Sequence, residues 1–178
     1  MPHANAPADY RFCPYCATAL QEKVLREGNP PRAWCDACGF VAYLDPKVAV
    51  CTISRLDGGI VLAKRANPPQ KGKWVFPGGF VDRGETAQDA AIRETQEEVN
   101  LRVGLTGILD AYSVPGQDVL VIVYAAHVLE GRPEPGQETE AVAAFKPEDI
   151  PWDELGFDTT RLALLDYLHR FYPRVRTR

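Results

Sequence analysis

From Lys47 onward the chain alternates short apolar runs with polar breaks. KVAVCTIS and GIVLAKR flank an Asp57-Gly58-Gly59 turn, and LRVGLTGILDAYS, VLVIVYAAHV and the shorter EAVAAF follow. Runs of this kind, rich in Val and Ile and bounded by Gly, Pro or Asp, predict β-strands. Two segments break the rhythm with helical spacing. In the first, Thr86 with Asp89 three places on resembles a cap, Asn100 suits a left-handed stop, and Ile92, Thr95 and Val99 share one side. The second runs from Asp158 to about Tyr172, with Leu162, Leu165, Leu168 and Phe171 at helical spacing and Pro173 closing it. Strands flanked by two helices predict an α/β/α sandwich on a mixed sheet.

Before Lys47 the pattern changes. Cys13-x2-Cys16 and Cys35-x2-Cys38 are two paired knuckles separated by 18 residues, the spacing of a four-thiolate zinc ribbon. A segment of this size buries too little apolar surface to fold well alone, so tetrahedral Zn²⁺ would act as its staple. Two disulfides are the alternative, disfavoured because no secretory signal precedes the cysteines. Asp45-Pro46 marks the junction, giving a ribbon over residues 1–44 and a second domain over residues 45–178. Cys51 stands apart in an apolar run and reads as a buried strand residue.

The acidic helix carries the chemistry. At roughly 100° per residue, Glu94, Glu97 and Glu98 fall within one arc of about 100°. Like charges at these spacings repel, so the arc gains nothing in isolation. A hard divalent cation, Mg²⁺ or Mn²⁺, would convert repulsion into coordination and hold substrate phosphates as well. Arg93, four residues before Glu97, can neutralise part of the cluster. Ala87, Ala90 and Ala91 lie on the same arc and would let a backbone or a phosphate come close. Gly78-Gly79 supplies a backbone that can bend sharply and offer bare polar groups.

Composition narrows the reading without redirecting it. The chain has 178 residues, 46% hydrophobic and 25% charged, which suits a globular protein with one sizeable core and a small appendage. No apolar stretch is long enough to span a membrane, and the N-terminal MPHANAPADYRF has neither a basic nor an apolar leader region, so a cytoplasmic site is expected. The net charge of −4 gives no electrostatic footprint for nucleic acid, although the terminal RVRTR is a short basic tail.

On the residues Gly79, Glu85, Arg93-Glu94, Glu97-Glu98 and Leu101, the chain resembles the Nudix hydrolase family. Two positions depart from the family pattern: Thr95 stands where an aliphatic residue is usual and Asn100 where Gly is usual. The resemblance implies an α/β/α sandwich with a mixed sheet and metal-dependent cleavage between the phosphorus atoms of a nucleoside diphosphate derivative. It implies Glu94, Glu97 and Glu98 as ligands of Mg²⁺ or Mn²⁺, the Gly79 carbonyl as a further candidate ligand, and Arg93 and Glu85 as supports. It places the general base either in this motif or on a later loop, where Glu138 and Glu140 are candidates. Arg65, at the end of a strand, is a candidate phosphate partner. Trp74, Phe76 and Tyr112 are candidates for stacking on a base or flavin ring, and Ser113 and Gln117 for hydrogen bonds to the distal part of the substrate.

The order of ribbon, junction and catalytic domain resembles the zinc-ribbon Nudix enzymes. FCPYC, CDACGFVAYLDPKV, GKWVFPGGFVDRGE and EDIPWDELGF resemble those of the ADP-ribose and FAD pyrophosphatases. A small-molecule nucleotide substrate, a structural Zn²⁺ and a homodimer are therefore expected. NADH pyrophosphatases also carry four cysteines ahead of the domain and are the nearest enzymatic alternative, but their Ser-Gln-Pro-Trp-Pro-Phe-Pro array is absent. A non-catalytic zinc-ribbon adaptor that binds a nucleotide is the alternative from another class; such members lose motif residues, and this chain keeps every charged one.

Overall fold

The computed structural model describes residues 10–173. The start of the N-terminal stretch read for a leader, and the basic RVRTR tail, lie outside them. The described chain divides into two compact units, one ending at Pro46 and the other beginning at Lys47.

The first unit is a three-stranded antiparallel sheet in the order β1 (Gln21–Lys23), β2 (Arg32–Trp34), β3 (Val41–Ala42). Its buried apolar residues are Cys13, Cys35 and Ala42 alone among those described. Tyr15 packs edge-on to Phe40, and the Lys23 ammonium lies 4.3 Å from the Trp34 ring centroid. So thin a core cannot offset the entropy of ordering the segment.

The second unit holds β4 (Lys47–Leu56), β5 (Gly59–Arg65), β6 (Trp74–Val75), β7 (Gly78–Phe80), helix α1 (Ala87–Val99), β8 (Leu101–Tyr112), β9 (Val119–Gly131), β10 (Thr139–Phe145) and helix α2 (Asp158–Phe171). The main sheet runs β10-β5-β4-β9-β8, with β6 on β5 and β7 on β4. β4 and β9 are parallel and the other pairs antiparallel, so the sheet is mixed.

Strand alternation feeds both faces, because successive side chains point to opposite sides. Ile60 and Leu62 of β5 join Ile53, Val123, Ala125 and the buried side of α2. Val61 and Ala63 turn the other way, toward Val99 at the end of α1, while Val50 and Tyr124 meet Ala90 and Ala91. Each large aliphatic side chain so buried contributes about 1.5–3 kcal/mol, and truncating fully buried Leu164 to Ala would cost about 2–5 kcal/mol.

The packing of the two helices sharpens what spacing alone predicts. On α2 the buried residues are Thr160, Ala163, Leu164, Tyr167 and Leu168, whereas Leu162 and Phe171 are exposed. Steps of three residues drift backward around the helix, and from Leu162 to Phe171 the drift amounts to about half a turn. On α1, Ala90 and Ala91 are completely buried. Of the two alternatives, it is the sheet that comes close here, through Val50 and Tyr124.

The ends of α1 behave as the sequence predicts. The Thr86 hydroxyl accepts from the Asp89 amide at 3.1 Å and donates to its carboxylate at 2.7 Å. Asn100 closes the helix at φ 55°, and its amide donates to the Gln96 carbonyl.

Candidate active site

Four segments of the second unit build one cleft of about 660 Å³, lined by Arg65 at the end of β5, by Gly78, Gly79, Phe80 and Asp82, by Arg93, Glu94, Glu97 and Glu98 of α1, and by Gln137 and Glu138. Pairing of β7 with β4 sets the glycine segment beside the helix, with Val50 opposite Gly79 and Cys51 opposite Gly78. Both glycines are required by space: a Cβ on Gly78 would strike the Val50 carbonyl, and one on Gly79 would lie 2.5 Å from the Glu94 carboxylate. Any larger residue would push Glu94 off this strand.

Arg93 organises the acids. Its Nε and Nη2 donate to the two oxygens of Glu85 at 2.8 and 3.0 Å, a bidentate pair. Nη1 donates to Glu94 at 2.8 Å and to Glu97 at 3.2 Å, and Nη2 also reaches the Phe80 carbonyl at 3.3 Å. One guanidinium thus ties the loop before α1, the glycine strand and two carboxylates together. The pairing holds Glu85 below the usual carboxylate range and raises Arg93 further.

Glu98 is satisfied differently. Its carboxylate accepts the Gly78 amide at 2.9 Å. Burial, with Glu94 and Glu138 nearby, pushes it up to about 7 despite that bond and the field of Arg65. Glu94 is also raised, chiefly by burial, against the pull of Arg93. Desolvated carboxylates of this kind invite a cation, and an all-oxygen donor set suits Mg²⁺ or Mn²⁺. Beneath them, burial and the same acids push Cys51 up to about 12, which leaves it an inert thiol.

The loop between β9 and β10 is clamped onto the end of α1. The Gly136 amide donates to the Glu98 carbonyl at 3.0 Å and that of Glu134 to the Val99 carbonyl at 3.2 Å. A Cβ on Gly136 would strike the Glu97 carbonyl, so the loop can lie this close only with glycine there. The Asn100 side chain adds bonds to the Arg132 carbonyl at 3.3 Å and the Glu134 carboxylate at 3.4 Å. This attachment delivers Gln137 and Glu138 to the cleft.

Of the residues singled out in sequence, Glu94, Glu97, Glu98, Arg93, Gly79, Arg65 and Glu138 meet at this cleft, and Glu85 supports it through Arg93. Six of the residues singled out need correction. Glu140 lies exposed on β10 and is not among the lining residues. Phe76 is 3% exposed in the core, where no ligand can stack on it. Tyr112 is equally interior; its hydroxyl donates to Asp166 of α2 at 2.8 Å. Trp74 packs edge-on to Phe145, 4.9 Å away. Ser113 and Gln117, in the loop after β8, do not line the cleft either.

The aromatic ring that does line it is Phe80, 50% exposed with the Lys47 ammonium 5.2 Å from its centroid. Sequence reasoning missed it, although alternation along β7 and beyond would have separated it from Val81, which packs inward against the Val50 cluster. Arg65 is held by its Nε bond to the Pro69 carbonyl at 2.8 Å and lies 5.5 Å from the Phe157 ring centroid.

The cysteine cluster of the first unit has another character. The Sγ atoms of Cys13, Cys16, Cys35 and Cys38 all lie within 4.8 Å of one another, with closest separations of 3.4–3.6 Å. Bonds of about 2.3 Å to a central tetrahedral Zn²⁺ fit such a cage. Among the described residues no equally tight group includes the three carboxylates.

Comparison with known proteins agrees with this geometry. The family described as NUDIX domain matches residues 44–168 and that described as Nudix N-terminal, a zinc ribbon, matches residues 11–44. An ADP-ribose pyrophosphatase of Methanocaldococcus jannaschii is 37% identical over 130 residues, 71% of this chain and 75% of that protein. An NAD-capped RNA hydrolase NudC of Chromobacterium violaceum is 31% identical over 144 residues, 80% of this chain but only 52% of that protein. The crystal structure of a NUDIX hydrolase from Nitrosomonas europaea superposes with a TM-score of 0.86 at 31% identity, covering 92% of this chain and 93% of that one.

Proposed function

The chain belongs to the Nudix hydrolase family, and on that footing we propose that it cleaves the diphosphate bond of a nucleoside diphosphate derivative, with ADP-ribose or FAD preferred. The observation that carries this reading is the convergence of Glu94, Glu97 and Glu98 with the glycine strand in one cleft, held by the Arg93–Glu85 bracket. Glu94, Glu97, Glu98 and the Gly79 carbonyl would hold Mg²⁺ or Mn²⁺. Bound there, the cation supplies positive charge against the diphosphate and lowers the pKa of an attacking water.

The chain's own residues supply the rest. Arg65 pairs with a phosphate oxygen of the substrate and offsets charge on the departing phosphate. Glu138, rather than Glu140, accepts the proton of the attacking water, since it alone of the two lines the cleft. Phe80 offers a stacking face for a base or flavin ring, and Lys47 beside it offers a cation for a further phosphate. Water adds across the P–O–P bridge, so ADP-ribose yields AMP and ribose 5-phosphate, and FAD yields AMP and FMN. In the first unit the four thiolates would hold a structural Zn²⁺, with no open position for water.

The diphosphate is common to all these compounds, so selectivity must come from what holds the distal group. The similarity to an ADP-ribose pyrophosphatase and the missing NADH-type array favour ADP-ribose or FAD; the similarity to NudC keeps NAD-type dinucleotides as the second reading. Side-by-side kcat/KM values for ADP-ribose, FAD, NADH and a nucleoside triphosphate, with Mg²⁺, test the ranking. ADP-ribose or FAD is expected first; a clear NADH preference overturns it, and no Mg²⁺-dependent turnover of any of them would favour the non-catalytic adaptor.

A further inference from the structure

Behind the acidic arc, α1 adds a polar contact with the sheet to its apolar ones. Ser54, Thr52 and Thr95 are all completely buried. The Thr52 and Thr95 hydroxyl oxygens are 2.8 Å apart, Ser54 donates to Thr52 at 3.2 Å, and Thr95 donates to the Ala91 carbonyl at 2.7 Å. Each hydroxyl has one proton. Since Thr95 spends its proton on Ala91, the proton between the threonines must come from Thr52. The chain therefore has one direction: Ser54 to Thr52 to Thr95 to the Ala91 carbonyl.

Thr52 also touches the other half of the site. Its backbone amide donates to the Pro77 carbonyl at 3.0 Å, immediately before Gly78, whose own amide holds Glu98. A single residue of β4 is thus bonded through its backbone to the glycine segment and through its side chain to the helix bearing the carboxylates. Thr95 lies next to Glu94 and one turn from Glu98. An aliphatic side chain at this position could slide or rotate over an apolar strand, whereas a buried hydroxyl with one partner fixes both the rotation and the height of the helix.

We propose that Thr52 and Thr95 are positioning residues for the cation site, setting the register of Glu94 and Glu98 against the Gly78-Gly79 backbone. The inference rests on reading those carboxylates as cation ligands. It assigns a use to Thr95, which departs from the usual aliphatic residue of the family pattern, and it requires Thr52 as the matching partner.

The variants Thr52→Val, Thr95→Val, the double variant and Thr95→Ser separate positioning from stability. Each single Val leaves a buried hydroxyl without its partner and should lower the melting temperature; the isosteric double still leaves Ser54 without its acceptor, and adding Ser54→Ala to it, which removes that last hydroxyl, should recover most of the loss. Mn²⁺ affinity, measured on the protein without substrate by electron paramagnetic resonance, should fall about tenfold in both single variants and in the double, the scale seen when supports of metal ligands are removed. Thr95→Ser, which keeps the hydroxyl, should bind Mn²⁺ as the native protein does. A stable double variant with native Mn²⁺ affinity overturns the proposal. Native protein that binds no Mn²⁺, or binds it equally with Glu98→Gln, overturns the reading of the carboxylates and the proposal with it.

Discussion

The chain carries two constellations that we propose bind cations, and they are opposites in construction. In the ribbon, four sulfurs lie within 4.8 Å of one another and the buried apolar core is two of those cysteines plus Ala42; the site is the core. In the second unit the core is large and lies on both faces of the sheet, and the three carboxylates line a cleft, with Glu94 and Glu97 bridged by Arg93 and Glu98 held by the Gly78 amide. A cage that is closed by protein ligands can only stabilise. Carboxylates that leave room for a further ligand can share a cation with a substrate and release it. The difference teaches that cation removal should cost the first unit its structure and the second its chemistry.

The largest expected effect follows from the cage. Cys35→Ser, or removal of zinc by a strong chelator, should unfold the first unit while the second keeps its own transition, because apparent zinc affinity in such small domains is folding free energy. Metal analysis of reduced native protein should return about one zinc per chain. Substantially less zinc in fully folded protein, or a native first-unit spectrum after chelation, would break the comparison on this side.

Next in size is the opposite experiment. Glu97→Gln and Glu98→Gln should each lower turnover about 100-fold or more and leave the melting transition of the second unit in place, since Glu97 is exposed and neither side chain fills the core. Unfolding of either variant at the temperature of the assay would show that the carboxylates serve the fold after all.

A subtler effect is the pH dependence of stability without metal. Burial pushes Glu98 in the folded chain up to about 7 from an ordinary value of 4.5. Between those values the folded state binds more protons than the unfolded one, so stability falls as pH rises through this window. A cation beside the ionised carboxylate offsets the loss. Added Mg²⁺ should therefore raise the melting temperature more at pH 8 than at pH 5, and an equal rise at both would contradict the sign.

The smallest effect concerns the loop that carries Glu138. Asn100→Gly keeps the left-handed stop but removes the side-chain bonds to Arg132 and Glu134. The backbone bonds of Glu134 and Gly136 to α1 remain. We expect a few-fold drop in kcat with unchanged Mn²⁺ affinity; weakened Mn²⁺ binding would show that the loop shapes the carboxylates instead of the proposed general base, Glu138.

The sequence made the elements legible where local pattern decides them. GIVLAKR and EAVAAF emerge as strands within a residue of their ends, and the caps at Thr86 and Asn100 stand where expected. The carboxylates were legible because helical spacing alone puts them on one arc. What was not legible depends on pairing between distant segments. Nothing local distinguishes Phe76, which the sheet carries into the core, from Phe80, which stays at the cleft rim. Likewise Glu138 and Glu140 differ only by where β10 begins: Thr139 pairs with Arg65 and is buried, and a bulge follows before Ala141. The buried hydroxyls of Thr52 and Thr95 lie 43 positions apart and become a pair only through packing.

The most direct test of the account is AMP release from ADP-ribose as a function of Mg²⁺ concentration, run in parallel on native protein and on Glu98→Gln. Native protein should show no release without the cation and saturable release with it, and Glu98→Gln should remain folded yet release AMP at least about 100-fold more slowly at every Mg²⁺ concentration. Release that persists in the presence of a chelator, or a Glu98→Gln rate equal to the native one at saturating Mg²⁺, would contradict the assignment of the acidic arc as the cation site of this hydrolase.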